Sequence, residues 1–241
     1  MKRTSIKTKL LTAMLTLCMA LTPLPAFAAE ASAETADFTV GGGTAAIELL
    51  NAFRTDGAAD STWDDGSRTL TLRGVDFTTT AATAVKLPAG STIVLADGSA
   101  NAIQSGDVIL EKNGDYKSQT FLNALDAAGS LTIQGGTGTL DVAAGKVDNS
   151  GDGWVYSSGI SVDGDFTVKG GSVESDGTCF SMGVNMDSDT KNKALLVTGG
   201  TLTAIAGEAY EREEDGGKRP VFSRGVYLYR GSVTVSGDGR L

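Results

Sequence analysis

The chain has 241 residues, with 29 Asp and Glu against 20 Lys and Arg, and no histidine. The absence of histidine removes Ser-His-Asp and Cys-His catalysis, His-ligated zinc and imidazole general bases together. A formal charge of −9 repels phosphate backbones and argues against nucleic acid as a partner.

The first residues predict an export signal over residues 1–28. Lys2, Arg3, Lys7 and Lys9 form a basic stretch, and Leu10 to Leu21 form an apolar run. That run is shorter than the ~20 residues a membrane-spanning helix needs. Pro23 and Pro25 interrupt it, and Ala26-Phe27-Ala28 supplies the small-x-small pattern of a signal-peptidase site. Leu17 stands where a small residue precedes a lipidated cysteine, so Cys18 is not expected to carry a lipid. Losing the leader removes four basic residues and no acid, which lowers the formal charge from −9 to about −13. The remaining chain keeps Cys179 alone, so no internal disulfide can form, and Cys179 reads as a small buried hydrophobe. The expected location is outside a bacterial cell or on its surface, with no membrane span after cleavage.

Residues 29–62 form an N-terminal segment and cap. Within it Ala45, Ala46, Leu49, Leu50 and Phe53 recur at helical spacing, and Gly57 lies just past them. This predicts a short helix over 44–53 that covers the first layer of a repeat region.

Residues 63–241 carry that internal repeat. Glycine is abundant, at 32 residues, and proline rare, at 4, and the glycines punctuate short runs of Thr, Val, Ile and Leu. One line of the repeat starts at Leu70, Ile93, Leu131, Phe166, Leu195 and Val233, with successive copies about 23 to 38 residues apart. A second line is a short apolar-x-apolar piece upstream: Val85-Lys-Leu87, Ile160-Ser-Val162, Val184-Asn-Met186 and Val226-Tyr-Leu228. Gly159, Gly183 and Gly225 precede the last three. A third line comes after the Gly-Gly turn, at Thr139 to Val142, Ser172 to Glu174 and Thr201 to Ile205. Alternation along each piece sends half its side chains to one face. A single unit cannot bury that face, whereas stacked units pile equivalent Leu, Ile and Val into one core. The predicted fold is all-β: a right-handed parallel β-helix with a short N-terminal capping helix. A propeller would need longer, more even repeats, and a sandwich would need none. Val233 to Leu241 stops inside a repeat, which predicts a β-helix truncated at its C-terminus.

Val85-Lys-Leu-Pro-Ala-Gly-Ser-Thr-Ile-Val-Leu-Ala-Asp-Gly-Ser-Ala-Asn-Ala-Ile103 resembles the hallmark turn of bacterial secreted carbohydrate-binding β-helix proteins. Gly129 to Val142 is similar to the next turn of that family, and the opening from Trp63 to Leu72 resembles surface proteins of gut bacteria. The resemblance covers roughly residues 63–241. It implies a secreted right-handed β-helix of pectate-lyase-like shape, polysaccharide binding and, in some members, bound calcium.

The candidate metal residues are Asp148, Ser150 and Asp152, which place oxygens at the first, third and fifth positions of a calcium-type loop with Gly153 at its bend. Gly159 stands where such a loop carries its bidentate Glu, so an Asx-type turn is the plainer reading. Asp163-Gly-Asp165 and Asp187-Ser-Asp189 read as solvated turns. The candidate carbohydrate-binding residues are Tyr227 with Tyr229 and Trp154 with Tyr156, each pair two positions apart, because a flat ring can stack on the apolar face of a sugar. Packing under a loop is the alternative for these rings, and Trp63 reads as core. Glu208, Glu211, Glu213, Glu214 and Asp215, before Lys218 and Arg219, read as a solvated acidic loop, with a divalent-ion or cationic-partner site as the alternative.

The functional expectation is non-catalytic recognition of a polysaccharide or surface glycan, with calcium as an optional cofactor. A structural or adhesive surface stalk is the alternative. A calcium-dependent polysaccharide lyase is a third reading, with Arg224, Arg230 and Lys169 as available bases, but no spacing in the sequence gathers them.

Overall fold

Each repeat delivers its strands in one order, and each strand pairs with its counterparts in the repeats before and after. The computed structural model describes residues 38–39, 44–109, 119–148, 154–177, 181–187, 191–207, 211–214, 217–220 and 222–241. The leader expected over residues 1–28 and Cys179 lie outside them. The described chain is nearly all β, with one helix, and its main sheets are parallel.

Three sheets carry the fold. The first joins strands 38–39, 83–87, 119–127, 154–162, 181–186 and 224–228. The second joins 62–64, 69–72, 91–95, 131–135, 166–168, 193–197 and 231–235, and all its pairs are parallel except the antiparallel pair of 62–64 with 69–72. The third joins 76–78, 100–104, 139–143, 172–177 and 201–206. The second line of the sequence repeat falls in the first sheet, the Gly-Gly line in the second, and the third line in the third.

Register turns the sequence repeat into columns. In the second sheet Leu70, Ile93, Ile133, Val168, Val197 and Val235 are successive lateral partners, as are Leu131, Phe166, Leu195 and Val233. In the first sheet the column is Val85, Leu125, Ile160, Val184 and Val226. In the third it is Leu140, Val173 and Leu202. These side chains form one core, fully buried except towards the last layer, where Val226 is half-buried and Val233 and Val235 are half-exposed. Each fully buried aliphatic side chain contributes roughly 1.5–3 kcal/mol.

One layer places a polar residue in a core column. Asn101 stands beside Leu140 in the third sheet and is buried. Its Oδ1 accepts from the backbone N–H groups of Gly74 and Val75, at 2.8 and 3.1 Å, and its Nδ2 donates to Ser99 Oγ and to the Thr139 carbonyl, each at 3.0 Å. Both lone pairs and both N–H groups of the amide are used, which makes its burial tolerable.

The N-terminal layer is closed in three ways. Residues 38–39 pair with 85–86 at the first sheet's edge, and the antiparallel strand 62–64 closes the second. Helix α1 (Thr44–Ala52) packs on the core through Leu50, with Ile47, Leu49 and Phe53 half-buried beside it. The chain leaving α1 covers the third sheet's edge: the Phe53 carbonyl accepts from Asp76 N–H at 2.8 Å, and Thr55 N–H donates to the Gly74 carbonyl at 2.6 Å. A helix thus lies where the spacing of apolar residues over 44–53 predicts one. Trp63 is half-buried against the core, its indole N–H donating to Asp65 at 2.8 Å.

The acidic insertion read as a loop contains ordered strands instead. Residues 211–214 and 217–220 pair antiparallel as a hairpin, with Glu213 opposite Lys218.

The turn between second and third sheets leaves no space for side chains where layers stack. Gly200 has φ +71°, and a Cβ there would collide with the Gly171 carbonyl of the layer below. Gly98 has φ +70° but open space around it. Gly200→Ala is therefore expected to destabilise by about 2 kcal/mol or more, and Gly98→Ala by only about 1 kcal/mol, both as shifts of the urea midpoint at unchanged slope. Phe166→Ala, in the middle of a core column, is expected to cost about 3–5 kcal/mol in the same measurement.

Candidate functional site

The first sheet is the place where strands outgrow the core. Strands 119–127 and 154–162 each have nine residues, against five in 83–87. Their second halves send Leu125, Ile160 and Val162 into the main core. Their first halves run past it and bury Leu122 and Val155 in a separate small cluster with Ala144, flanked by Val108 and Val147. The last two come from short paired strands, 108–109 with 147–148, in the connections from third sheet to first. The long strands thus widen the sheet beyond its own core.

A bend accompanies the change of core. Alternation fails between Leu122 and Leu125, and again across Ser157 to Ile160, where four consecutive residues are buried. In the next layer Gly183 occupies this position. A Cβ on it would lie 2.6–2.7 Å from the Ile205 N–H and the carbonyls of Ser175 and Gly225. Glycine is required because the first sheet here presses against the ends of third-sheet strands. Ser175 Oγ donates to the Gly183 carbonyl across that contact at 2.5 Å.

The outward face of the first sheet carries a polar column, Lys86, Asp126, Ser161, Asn185 and Tyr227, one residue per layer. Neighbours in it are spaced by the strand separation, about 4.8 Å. Burial and the nearby negative charge of Asp163 hold the Asp126 carboxyl above its usual range, against the opposing pull of Lys86 and a hydrogen bond from Ser161.

Between this column and the strand extensions lies a cleft of about 530 Å³, within the size range of small-ligand sites. Phe121 and Tyr156, lateral partners in register, stack at 5.4 Å with 19° between their planes. Trp154 lies on the same face, two residues before Tyr156. At the other end the Arg224 guanidinium sits over two rings, 5.1 Å from the centre of Phe222 and 4.7 Å from that of Tyr227. Asn185, Asp187, Gln119, Ser181 and Met182 complete the lining. Asn185 Oδ1 is buried and has no hydrogen-bond partner among the described residues.

Asp187 is held from behind. Lys193 is buried, and its Nζ donates to the Asp187 carbonyl at 2.7 Å and to the Val162 carbonyl at 2.9 Å. Burial lowers its pKa, while Asp163, Asp187 and Asp165 act against the shift. The lysine ties the ends of two neighbouring first-sheet strands at the rim of the cleft.

Three of the four aromatic residues singled out from sequence, Trp154, Tyr156 and Tyr227, line this one cleft although 73 residues separate the first from the last. Tyr229 is not among the lining residues. It comes just after the strand that ends at Leu228, is about half-exposed, and has Arg230 over its ring at 5.3 Å. Sequence reasoning missed Phe121, Phe222, Asn185 and Arg224 as members of the cleft. Asp148 ends strand 147–148, and Ser150 and Asp152 lie outside the described residues. Among the described residues no group of three or more acidic or cysteine side chains could hold a metal ion. Asp165 is engaged in the fold, its carboxylate accepting from Ala194 N–H at 2.8 Å. No helix of the described residues is long and apolar enough to cross a membrane.

Comparisons with protein-family models, with curated proteins and with solved structures found no match to this chain.

The shifted protonation of Asp126 is measurable. A carboxyl whose folded-state pKa is raised adds stability below the ordinary carboxylate pKa and loses it as pH rises through the raised value. Asp126→Asn, which cannot ionise, is expected to raise the melting temperature at pH 7, with the gain over the parent vanishing near pH 3.

Proposed function

We propose that this protein is a secreted or cell-surface right-handed parallel β-helix of the bacterial carbohydrate-binding type, and that it binds polysaccharide without cleaving it. The cyclic order of strands through three parallel sheets supports the β-helix, since a chain passing from first sheet to second to third and back must wind once per repeat. The leader-like residues 1–28 support export.

The observation that carries the binding reading is the aromatic cleft. Five rings from four separate strands or connections converge on one outward surface: Phe121, Trp154, Tyr156, Phe222 and Tyr227. Exposed aromatic surface costs free energy in water, and a partner with flat apolar faces recovers it. Amide, carboxylate and guanidinium groups among the rings offer the hydrogen bonds that would orient sugar hydroxyls. The non-catalytic reading is supported by the lining among the described residues, where Asp187 is the carboxylate and Arg224 the cation, and Arg224 is engaged with two rings. Calcium enters the reading through the calcium-type sequence pattern of Asp148, Ser150 and Asp152.

The test is binding of the secreted chain to an array of plant, host and bacterial polysaccharides, with and without calcium. A specific hit is expected, and Trp154→Ala, Tyr156→Ala and Tyr227→Ala are each expected to weaken it about tenfold or more, equivalent to about 1.4 kcal/mol. Tyr229→Ala is expected to leave it unchanged. A chain with intact β circular dichroism that retains no glycan would sink the proposal and favour a structural surface stalk.

A further inference from the structure

The cleft's shape and its donor and acceptor groups bear on what kind of glycan it takes. By register Tyr156 lies five residues upstream of Ser161, whose lateral neighbours are Asn185 and then Tyr227. At about 3.3 Å per residue and about 4.8 Å between strands, the backbones of Tyr156 and Tyr227 stand roughly 19 Å apart. The rings therefore form two platforms. Phe121, Tyr156 and Trp154 make one and Tyr227 marks the other; Phe222 is level with Tyr156 by register, about 10 Å away across two strands, and Arg224 lies over both Phe222 and Tyr227. A single sugar ring reaches one platform only.

The polar groups between the platforms are of both kinds. Arg224 can only donate, and no ion pair with it is formed among the described residues. Asn185 Oδ1 and the Asp187 carboxylate can only accept. A sugar hydroxyl does both, so a run of hydroxyls can satisfy all three. A carboxylate or sulfate can only accept. One such group could pair with Arg224, but a polymer bearing one on every sugar would set the rest against Asp187 and, along the outward column, Asp126. Bringing an unpaired anion out of water costs several kcal/mol, and the chain without its leader adds a repulsive charge of about −13.

We infer that the cleft takes an extended, uncharged oligosaccharide stretch that spans both aromatic platforms, rather than a single sugar or a polyanionic glycan. This inference rests on the carbohydrate-binding reading and narrows it. Discrimination comes from chemistry at both levels: two separated stacking surfaces select for length, and a mixed set of donors and acceptors selects for hydroxyls.

The experiment is titration calorimetry of the secreted chain with length series of gluco-, xylo- and manno-oligosaccharides, from monosaccharide to hexasaccharide, beside the matching series of galacturonate oligosaccharides. At least one neutral series is expected to bind, with the tetrasaccharide or longer at least about tenfold tighter than the disaccharide, and with little change between low and high salt. Tyr227→Ala and Phe121→Ala, one from each platform, are each expected to flatten that length dependence. Tightest binding by the galacturonate series, weakened by salt, would overturn the inference and leave the glycan reading standing. Equal affinity for monosaccharides and hexasaccharides would overturn it in the same way. Failure of every series and of the polysaccharide array would remove both.

Discussion

A strand of three to five residues can turn only two or three side chains inward, and its backbone groups demand partners on both sides. In this protein both needs are met by the same neighbour: the equivalent strand of the next repeat. Parallel, in-register pairing satisfies the backbone and places like side chain on like side chain, so Ile133 lies between Ile93 and Val168, and Phe166 between Leu131 and Leu195. The rest of the structure depends on that register. A slip of one residue would send each column to the solvent face. The polar exceptions obey the same constraint. Asn101 occupies a core position because its four hydrogen bonds join three successive parts of the chain there.

Uniform stacking alone would produce a featureless exterior. The cleft arises where uniformity is broken in two linked ways. Two first-sheet strands run long and gain a small core of their own, and the connections entering this sheet supply the apolar residues that cover it. Glycine at Gly183 and Gly225 lets the sheet bend against the third sheet at the join. The aromatic residues then stand on a surface that the main core supports at one end and the second core at the other. A rigid platform of this kind lowers the entropy lost on binding an extended ligand, which suits the proposed role in glycan recognition.

Charge follows the same layered arrangement. Asp163, Asp165 and Asp187 act on the buried Lys193, which holds the backbone of Asp187 at the cleft rim while it offsets part of their repulsion. Asp126, farther along the outward column, has the pull of Lys86, but burial and Asp163 outweigh it, and the raised pKa of Asp126 records the difference. A surface with this balance suits the hydroxyl-rich partner proposed above better than an anionic one.

Much of the architecture was determined by the sequence alone. Glycine-bounded runs of alternating Leu, Ile, Val and Phe are a local signal, and the three lines of the repeat fall in the three sheets, although strand 154–162 begins six residues before the piece read as Ile160 to Val162. The strand at 119–127 was not legible, because Leu125-Asp-Ala127 ends in alanine and looks weaker than Ile160-Ser-Val162. The pairing of Glu211–Glu214 with Gly217–Pro220 was not legible either. Parity beside Val226 and Leu228 marked Tyr227 and Tyr229 as outward, whereas Trp154 and Tyr156 share the parity of the inward Ile160 and face out only because alternation breaks between Ser157 and Ile160. Only the tertiary structure decided that Trp154, Tyr156 and Tyr227 share one cleft, that Tyr229 stands apart from it, and that Phe121, Phe222, Asn185 and Arg224 join them. The physical reason is that parity along a strand says which face a residue occupies, whereas proximity between strands depends on the register across layers, and that register is set by the packing of the whole core.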